Sequence, residues 1–142
     1  MKALEKSSVD KFLSELLSEI GGVGIDVEGL KVDHIAYSAS SSDEYEKLLP
    51  GFLKNGELVQ EAIITNRRVA VVKLHKAVYW DGQTIEVVEL IEPVHGEKSI
   101  SGWEHAEFLA DDYDEILQKY PDLSWNTKHK DRDNFSRIKG QE

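Results

Sequence analysis

The chain is 142 residues long, 40% apolar and 31% charged. That is the size of one domain with its own core, and no apolar run approaches the roughly 20 residues of a membrane-spanning helix. Lys and Arg total 17 against 27 Asp and Glu, a net charge of −10, which repels phosphate backbones and excludes nucleic acid as the expected partner.

The first residues, MKALEKSSVDK, lack a signal-peptide core, and the absence of cysteine rules out disulfides and thiolate metal sites, so a cytoplasmic location is expected. Val9, Phe12, Leu13, Leu16, Leu17 and Ile20 recur at helical spacing. They predict an amphipathic helix from Ser8 to Ile20, with Ser7 or Ser8 as N-cap and Gly21-Gly22 as its stop. Lys31 to Ala39 reads as a strand, and Ser40 to Asp43 as the cap of a second helix bearing Tyr45, Leu48, Leu49, Phe52 and Leu53. Pro50 inside that stripe predicts a break or kink with a junction near Gly51.

Three Val- and Ile-rich strands follow between Glu57 and Glu92, joined by hairpins at Thr65-Asn66-Arg67 and Asp81-Gly82. A loop from Pro93 to Gly102 leads to a strand from Trp103 to Ala110. Next come a helix from Tyr113 to Tyr120, a last strand near Leu123 to Lys128, and a mixed-charge stretch from Lys128 to Arg137 that reads as a solvated tail. The expected fold is α+β, a single domain over residues 1–142: an N-terminal helix (8–20), a βαβββ module (31–102), and a partial second module with a polar tail (103–142).

The second module is expected because the chain repeats itself. At the separation of His34 and His105, Asp33-His34-Ile35-Ala36-Tyr37 falls on Glu104-His105-Ala106-Glu107-Phe108, and Ala39, Asp43, Glu44 and Pro50 fall on Ala110, Asp114, Glu115 and Pro121. These matches coincide with the predicted element boundaries, so we read a duplicated supersecondary unit. Strand alternation groups His34 with Val32, Ala36 and Ser38, and His105 with Trp103, Glu107 and Leu109. In IEVVELIE it groups Glu89 with Ile85, Val87 and Ile91, and separates it from Glu86 and Glu92. A lone strand histidine is more often a hydrogen-bonded structural residue than a ligand. Two at equivalent positions, with one carboxylate on an apolar face, form a nitrogen and oxygen donor set suited to Zn, Fe, Mn, Ni or Co. His34, Glu89 and His105 are therefore the candidate metal ligands. Glu107 is the candidate proton-transferring carboxylate, and His75 a candidate substrate contact in the same concavity. Trp80, Trp103 and Trp125 are expected in core packing.

The D-H-I and E-H-A starts of the two copies, with V-E-L-I-E-P closing the first, make the chain resemble the vicinal oxygen chelate superfamily, which includes glyoxalase I, methylmalonyl-CoA epimerase and extradiol dioxygenases. The order VDHIAYSA, NRRVAVVKLHKAV, VVELIEPVHGEKSISGWEHAEFLADD is similar to its YecM-like family. The resemblance implies paired, glyoxalase-like βαβββ modules, with both histidines and Glu89 at metal-ligand positions. It also implies isomerase, epimerase or lyase chemistry on a small oxygenated substrate through a metal-stabilised enolate. A second copy as long as the first would extend past Glu142, so the second module reads as truncated, without the strands that carry a fourth ligand in the superfamily's pattern. Completion by a homodimer, with an interface near Trp125, is the expectation that follows. The alternatives are a non-catalytic small-molecule binding module and a dimerising scaffold with a degenerate site.

Overall fold

The structure, a computed structural model, describes residues 1–22, 24, 31–94, 96–110, 115, 118–119 and 136–140, of which 110 and 136–140 by backbone alone. Helix α1 (Lys6–Gly22) and strand β1 (Lys31–Ser38) open the fold, followed by helix α2 (Ser42–Lys54). Strands β2 (Gly56–Ile64), β3 (Arg67–Trp80), β4 (Gln83–Ile91), β5 (Gly102–Ala110) and β6 (Ser136–Gly140) complete it. The α+β class is therefore observed: the described residues include helices α1 and α2 and a six-stranded sheet in the order β2-β3-β4-β1-β5-β6. No helix among the described residues is long and apolar enough to cross a membrane.

The predicted turns form for the reasons read from their residues. Thr65 and Asn66 have φ of 52° and 61°, and Asp81 and Gly82 have 46° and 76°. Two successive left-handed residues make the tight β2–β3 and β3–β4 hairpins, whose twist matches that of the strands. Helix α2 starts on a capping box: Ser41 Oγ accepts from the Glu44 N–H at 3.1 Å, while Glu44 Oε1 accepts from the Ser40 N–H at 2.9 Å. Ser41→Ala is expected to cost about 1 kcal/mol, read as a lower urea midpoint at unchanged slope.

Three expectations are corrected. Helix α2 runs unbroken through Pro50, which lies at an exposed position, although proline removes a helical hydrogen bond there. Ser7 and Ser8 lie inside α1, whose first amides instead reach the Glu5 carbonyl, and the left-handed residue after the helix is Gly24 at φ 94°. Within the supposed solvated tail, Ser136–Gly140 forms β6, antiparallel to β5 and covering its outer edge. A copy of β4 at that edge would run parallel, as β4 does beside β1, so the strand next to β5 does not continue the repeat. The helix expected from Tyr113 to Tyr120 lies mostly outside the described residues. The strand near Leu123 to Lys128, with Trp125 and the dimer interface placed there, lies wholly outside them.

Both helices cover one face of the sheet. A chain of rings shows this: Phe12 of α1 meets Trp103 at 6.3 Å, Trp103 meets Tyr37 edge-on at 5.2 Å, and Tyr37 meets Phe52 of α2 at 5.9 Å. The core between helices and sheet holds Val9, Leu13, Tyr45 and Phe52 against Ile35, Val72, Val88, Leu90 and Phe108, and Trp103 Nε1 donates to the Ala3 carbonyl at 3.0 Å. Trp80 and Trp103 are core residues as expected. The opposite face, away from α1 and α2, carries a second small buried cluster, Ala36, Val69 and Ile91, and the candidate site lies on that face.

Candidate metal centre

The site is built where β1 lies between β4 and β5. In the antiparallel β1–β5 pair, Ile35 faces Ala106, His34 faces Glu107 and Ala36 faces His105. Exchanging each residue for its repeat counterpart maps this pattern onto itself, so the pairing has a local pseudo-twofold axis at Ile35–Ala106. The pairing shifts register between Val32 and His34 and again between Ala36 and Tyr37. The extra residues are Asp33 on one strand and Glu104 on the other, which are repeat counterparts of each other. Each is a bulge residue whose carboxylate faces Nδ1 of the following histidine, at 2.8 Å for Asp33–His34 and 3.9 Å for Glu104–His105.

Those bulges correct the predicted face groupings. Val32 and Trp103 join the helix-side core, apart from His34 and His105, because one extra residue flips every side chain beyond it. Ile85 likewise packs in the cluster with Val88 and Leu90 rather than beside Glu89, beyond a register shift between Lys73 and Val78.

Glu89 lies opposite Ala36 on the other flank of β1, so Ala36 has Glu89 on one side and His105 on the other. His34 Nε2 lies 2.9 Å from Glu89 Oε1 and 3.4 Å from Glu107 Oε2. His34 and His105 are both 8% exposed. Asp33, His34 and Glu107 bring one donor atom each to within 4.8 Å of one another. His34, Glu89 and Glu107 are thus brought together, and His105 lies one diagonal step from His34 on the same face. Asp33 was missed by the sequence reading, although an acid precedes the histidine in both copies.

His75 is not part of this arrangement. It is exposed and lines a separate cavity with Met1, Leu4, Glu5, Lys54 and Asn55, and its N–H donates to the Asn55 carbonyl at 2.9 Å. The β3–β4 register shift after Lys73 ends the alternation that had placed it with Val71. Of the other two carboxylates on β4 and its end, Glu86 is exposed and Glu92 binds Arg68 on the helix side, both apart from the site as predicted.

Burial alone would lower the His34 pKa, but the carboxylates of Glu89, Glu107 and Asp33 outweigh it and hold the imidazole up at about 9. Nε2 is nonetheless buried without a hydrogen bond of good geometry, so its closeness to two carboxylate oxygens is an attraction of charges. Ligands at about 2.1 Å from one ion are about 3.0 Å apart in octahedral and about 3.4 Å apart in tetrahedral geometry. The separations of 2.9 and 3.4 Å are of that size. The Asp33 contact holds the proton on Nδ1 and aims Nε2 at Glu89 and Glu107, so that Nε2 would offer a lone pair to an ion once that ion displaced its proton, as a second carboxylate arranges at histidine metal sites. Among the described residues the group whose donor atoms lie within 4.8 Å of one another is Asp33, His34 and Glu107, and nitrogen and oxygen donors of these types are those a divalent transition ion takes.

The family model described as YecM protein matches residues 2–138. The chain is 31% identical over 105 residues to Protein YecM of Escherichia coli (strain K12), across 72% of this chain and 55% of that protein. It is 29% identical over 85 residues to an uncharacterized protein of Haemophilus influenzae, across 60% of this chain and 44% of that one. The chain therefore spans about half the length of the curated relatives it matches. A solved structure titled "Structural Genomics, Protein EC4020" is similar with a TM-score of 0.66 and 26% identity, over 79% of this chain and 64% of that chain. The family match takes in both helices, all of strands β1 to β5 and every residue of the candidate site, and the chain belongs to the YecM family.

Proposed function

We propose that this chain is a divalent-metal-binding protein of the vicinal oxygen chelate kind, acting on a small oxygenated substrate as an isomerase, epimerase or lyase. The observation that carries this reading is the buried His34 Nε2, which makes no hydrogen bond and stands at ligand-to-ligand distance from Glu89 and Glu107. The connectivity β1-α2-β2-β3-β4 with β4 parallel to β1, and the pseudo-twofold pairing of β1 with β5, support the paired-module relationship.

In this reading His34 and Glu89 keep the ligand places expected of them, Glu107, 3.4 Å from His34 Nε2, exchanges roles with His105 and becomes the third ligand, and Asp33 orients His34. When bound, the ion supplies Lewis-acid polarisation of substrate oxygens, worth several kcal/mol. Ala36 keeps the space between Glu89 and His105 open for substrate, and the apolar Val69 and Ile91 beside it exclude water. His105, backed by Glu104, takes a proton from the substrate and returns it. Elemental analysis after dialysis against Zn, Ni or Mn is expected to find about one ion per chain. No uptake of any of the three would reject the proposal.

A further inference from the structure

The face away from α1 and α2 carries a charged group that the proposed chemistry does not use. Arg67 opens β3 opposite Ile64, in uninterrupted register with the Ala62–Val69 pair, so it shares the face of Val69 and of the candidate metal centre. Its neighbour Arg68 points to the helix side, where Nη2 and Nε donate to Glu92 at 2.7 and 3.1 Å, and Nη2 also reaches Glu46 at 3.3 Å. Arg67 has no such partner among the described residues, and its Nε is buried without a hydrogen bond. In a chain with 27 acids and 17 bases, a half-buried guanidinium without an acid among the described residues is a place where an external anion would be favoured.

The space between Arg67 and the metal centre is apolar. Val71 of β3 lies opposite Glu89, and Arg67 is four residues before it, about 13 Å along the strand. Val69, Ile91 and Ala36 form the buried floor between the two ends. From the imidazole–carboxylate site toward the start of β3, the face thus presents an apolar stretch and then a cation with no acid partner among the described residues.

We infer that Arg67 recognises an anionic group, carboxylate or phosphate, at the far end of a ligand whose oxygens are held at His34, so that the ligand is an elongated anion with an apolar middle. This inference rests on the metal-binding reading above. Its test uses metal-loaded protein and a ladder of alkyl hydroxamates of increasing length, which anchor on a divalent ion and end in methyl, carboxylate or phosphonate. Calorimetric titration is expected to show an anionic end tightening binding about tenfold at the length that spans the floor. Arg67→Met removes that gain while leaving metal uptake and binding of the methyl series unchanged, and Arg67→Lys keeps part of it. A preference for carboxylate over phosphonate, or the reverse, names the natural end group. Equal binding of anionic and methyl-ended ladders at every length, or an anion gain that survives Arg67→Met, would overturn the role of Arg67 and leave the metal reading standing. Failure of the unmutated protein to take up metal would remove both.

Discussion

His34→Ala is expected to abolish metal uptake and to remove a pH dependence of folding from the metal-free protein. Loss of one of three ligands alone is expected to weaken binding by two orders of magnitude or more, and His34 is also the residue through which Asp33 acts. The pH effect follows from the His34 pKa, raised from 6.5 to about 9 in the folded chain. A raised pKa means that the folded state binds the proton more tightly than the unfolded state. The stabilisation is therefore fully present below the unfolded value and is lost as pH rises through about 9. Its size is on the order of 3 kcal/mol for a group this buried. Urea unfolding in a chelator at about pH 6 and about pH 9.5 should show the fall in the native sequence and a much flatter profile in His34→Ala. In the same protein at neutral pH, each ion taken up should displace a proton from His34, seen as a buffer-dependent heat of binding. A His34→Ala protein that held metal as tightly as the native one would show that the imidazole is structural.

Much of the site was legible because chemistry and repetition pointed the same way. His34 and Glu89 could be paired from sequence: one histidine at the start of β1 and one carboxylate on an apolar face of β4 meet wherever those strands are neighbours, and they lie 2.9 Å apart. The repeat also marked as equivalent the two strands that the structure pairs, β1 and β5, about Ile35–Ala106. The bulges were not legible. Nothing in VDHIA or WEHAE distinguishes a regular strand from one with an extra residue, because the extra residue is decided by how the partner strand sits. Alternation therefore leaves Asp33 and Glu104 out of the histidine groupings, whereas each turns back on its own histidine. Glu107 was recognised as a site residue, but its place against His34 rather than beside His105 depends on that same register.

Elsewhere the failures have a common origin in local rules overridden by context. Proline alone disfavours a helix interior, but α2 is held on both sides of Pro50 by Tyr45 and Phe52 buried in the core. His75 obeys alternation up to Lys73 and then enters a stretch where β3 gains residues relative to β4, so its face is set by the hairpin and not by its own strand. Ser136–Gly140 has the composition of a tail, and only the unpaired edge of β5 makes it a strand.

Arg68→Ala is expected to be the most destabilising change outside the apolar core, at about 2–4 kcal/mol. Glu92 is 8% exposed, and its two oxygens accept from the Arg68 backbone N–H, Nε and Nη2 at 2.9, 3.1 and 2.7 Å. The guanidinium also stacks over the fully buried Tyr45 ring at 4.6 Å, and the Tyr45 hydroxyl donates to Glu61 at 2.6 Å. Removing Arg68 leaves a buried carboxylate uncompensated, which costs about 3–5 kcal/mol in a fully dry site, and somewhat less here because the Arg68 side chain is 30% exposed. The hydrogen bonds from Arg68 hold the Glu92 pKa down at about 2 against the opposing effect of burial. The pair therefore stabilises the fold above the ordinary carboxylate range, and that contribution is lost as pH falls toward about 2. In Arg68→Ala protonation relieves the uncompensated Glu92 carboxylate, so the deficit against the native sequence should be largest at about pH 7 and shrink at about pH 3, read from urea midpoints at the two pH values. The double variant Arg68→Met with Glu92→Leu should recover most of the loss, since no lone charge remains buried. Arg67→Met, one residue away on the opposite face, should shift stability by no more than about 0.5 kcal/mol, because Arg67 gives up no partner among the described residues. A large loss there and none at Arg68 would mean that the two arginines have exchanged the roles their surroundings assign them.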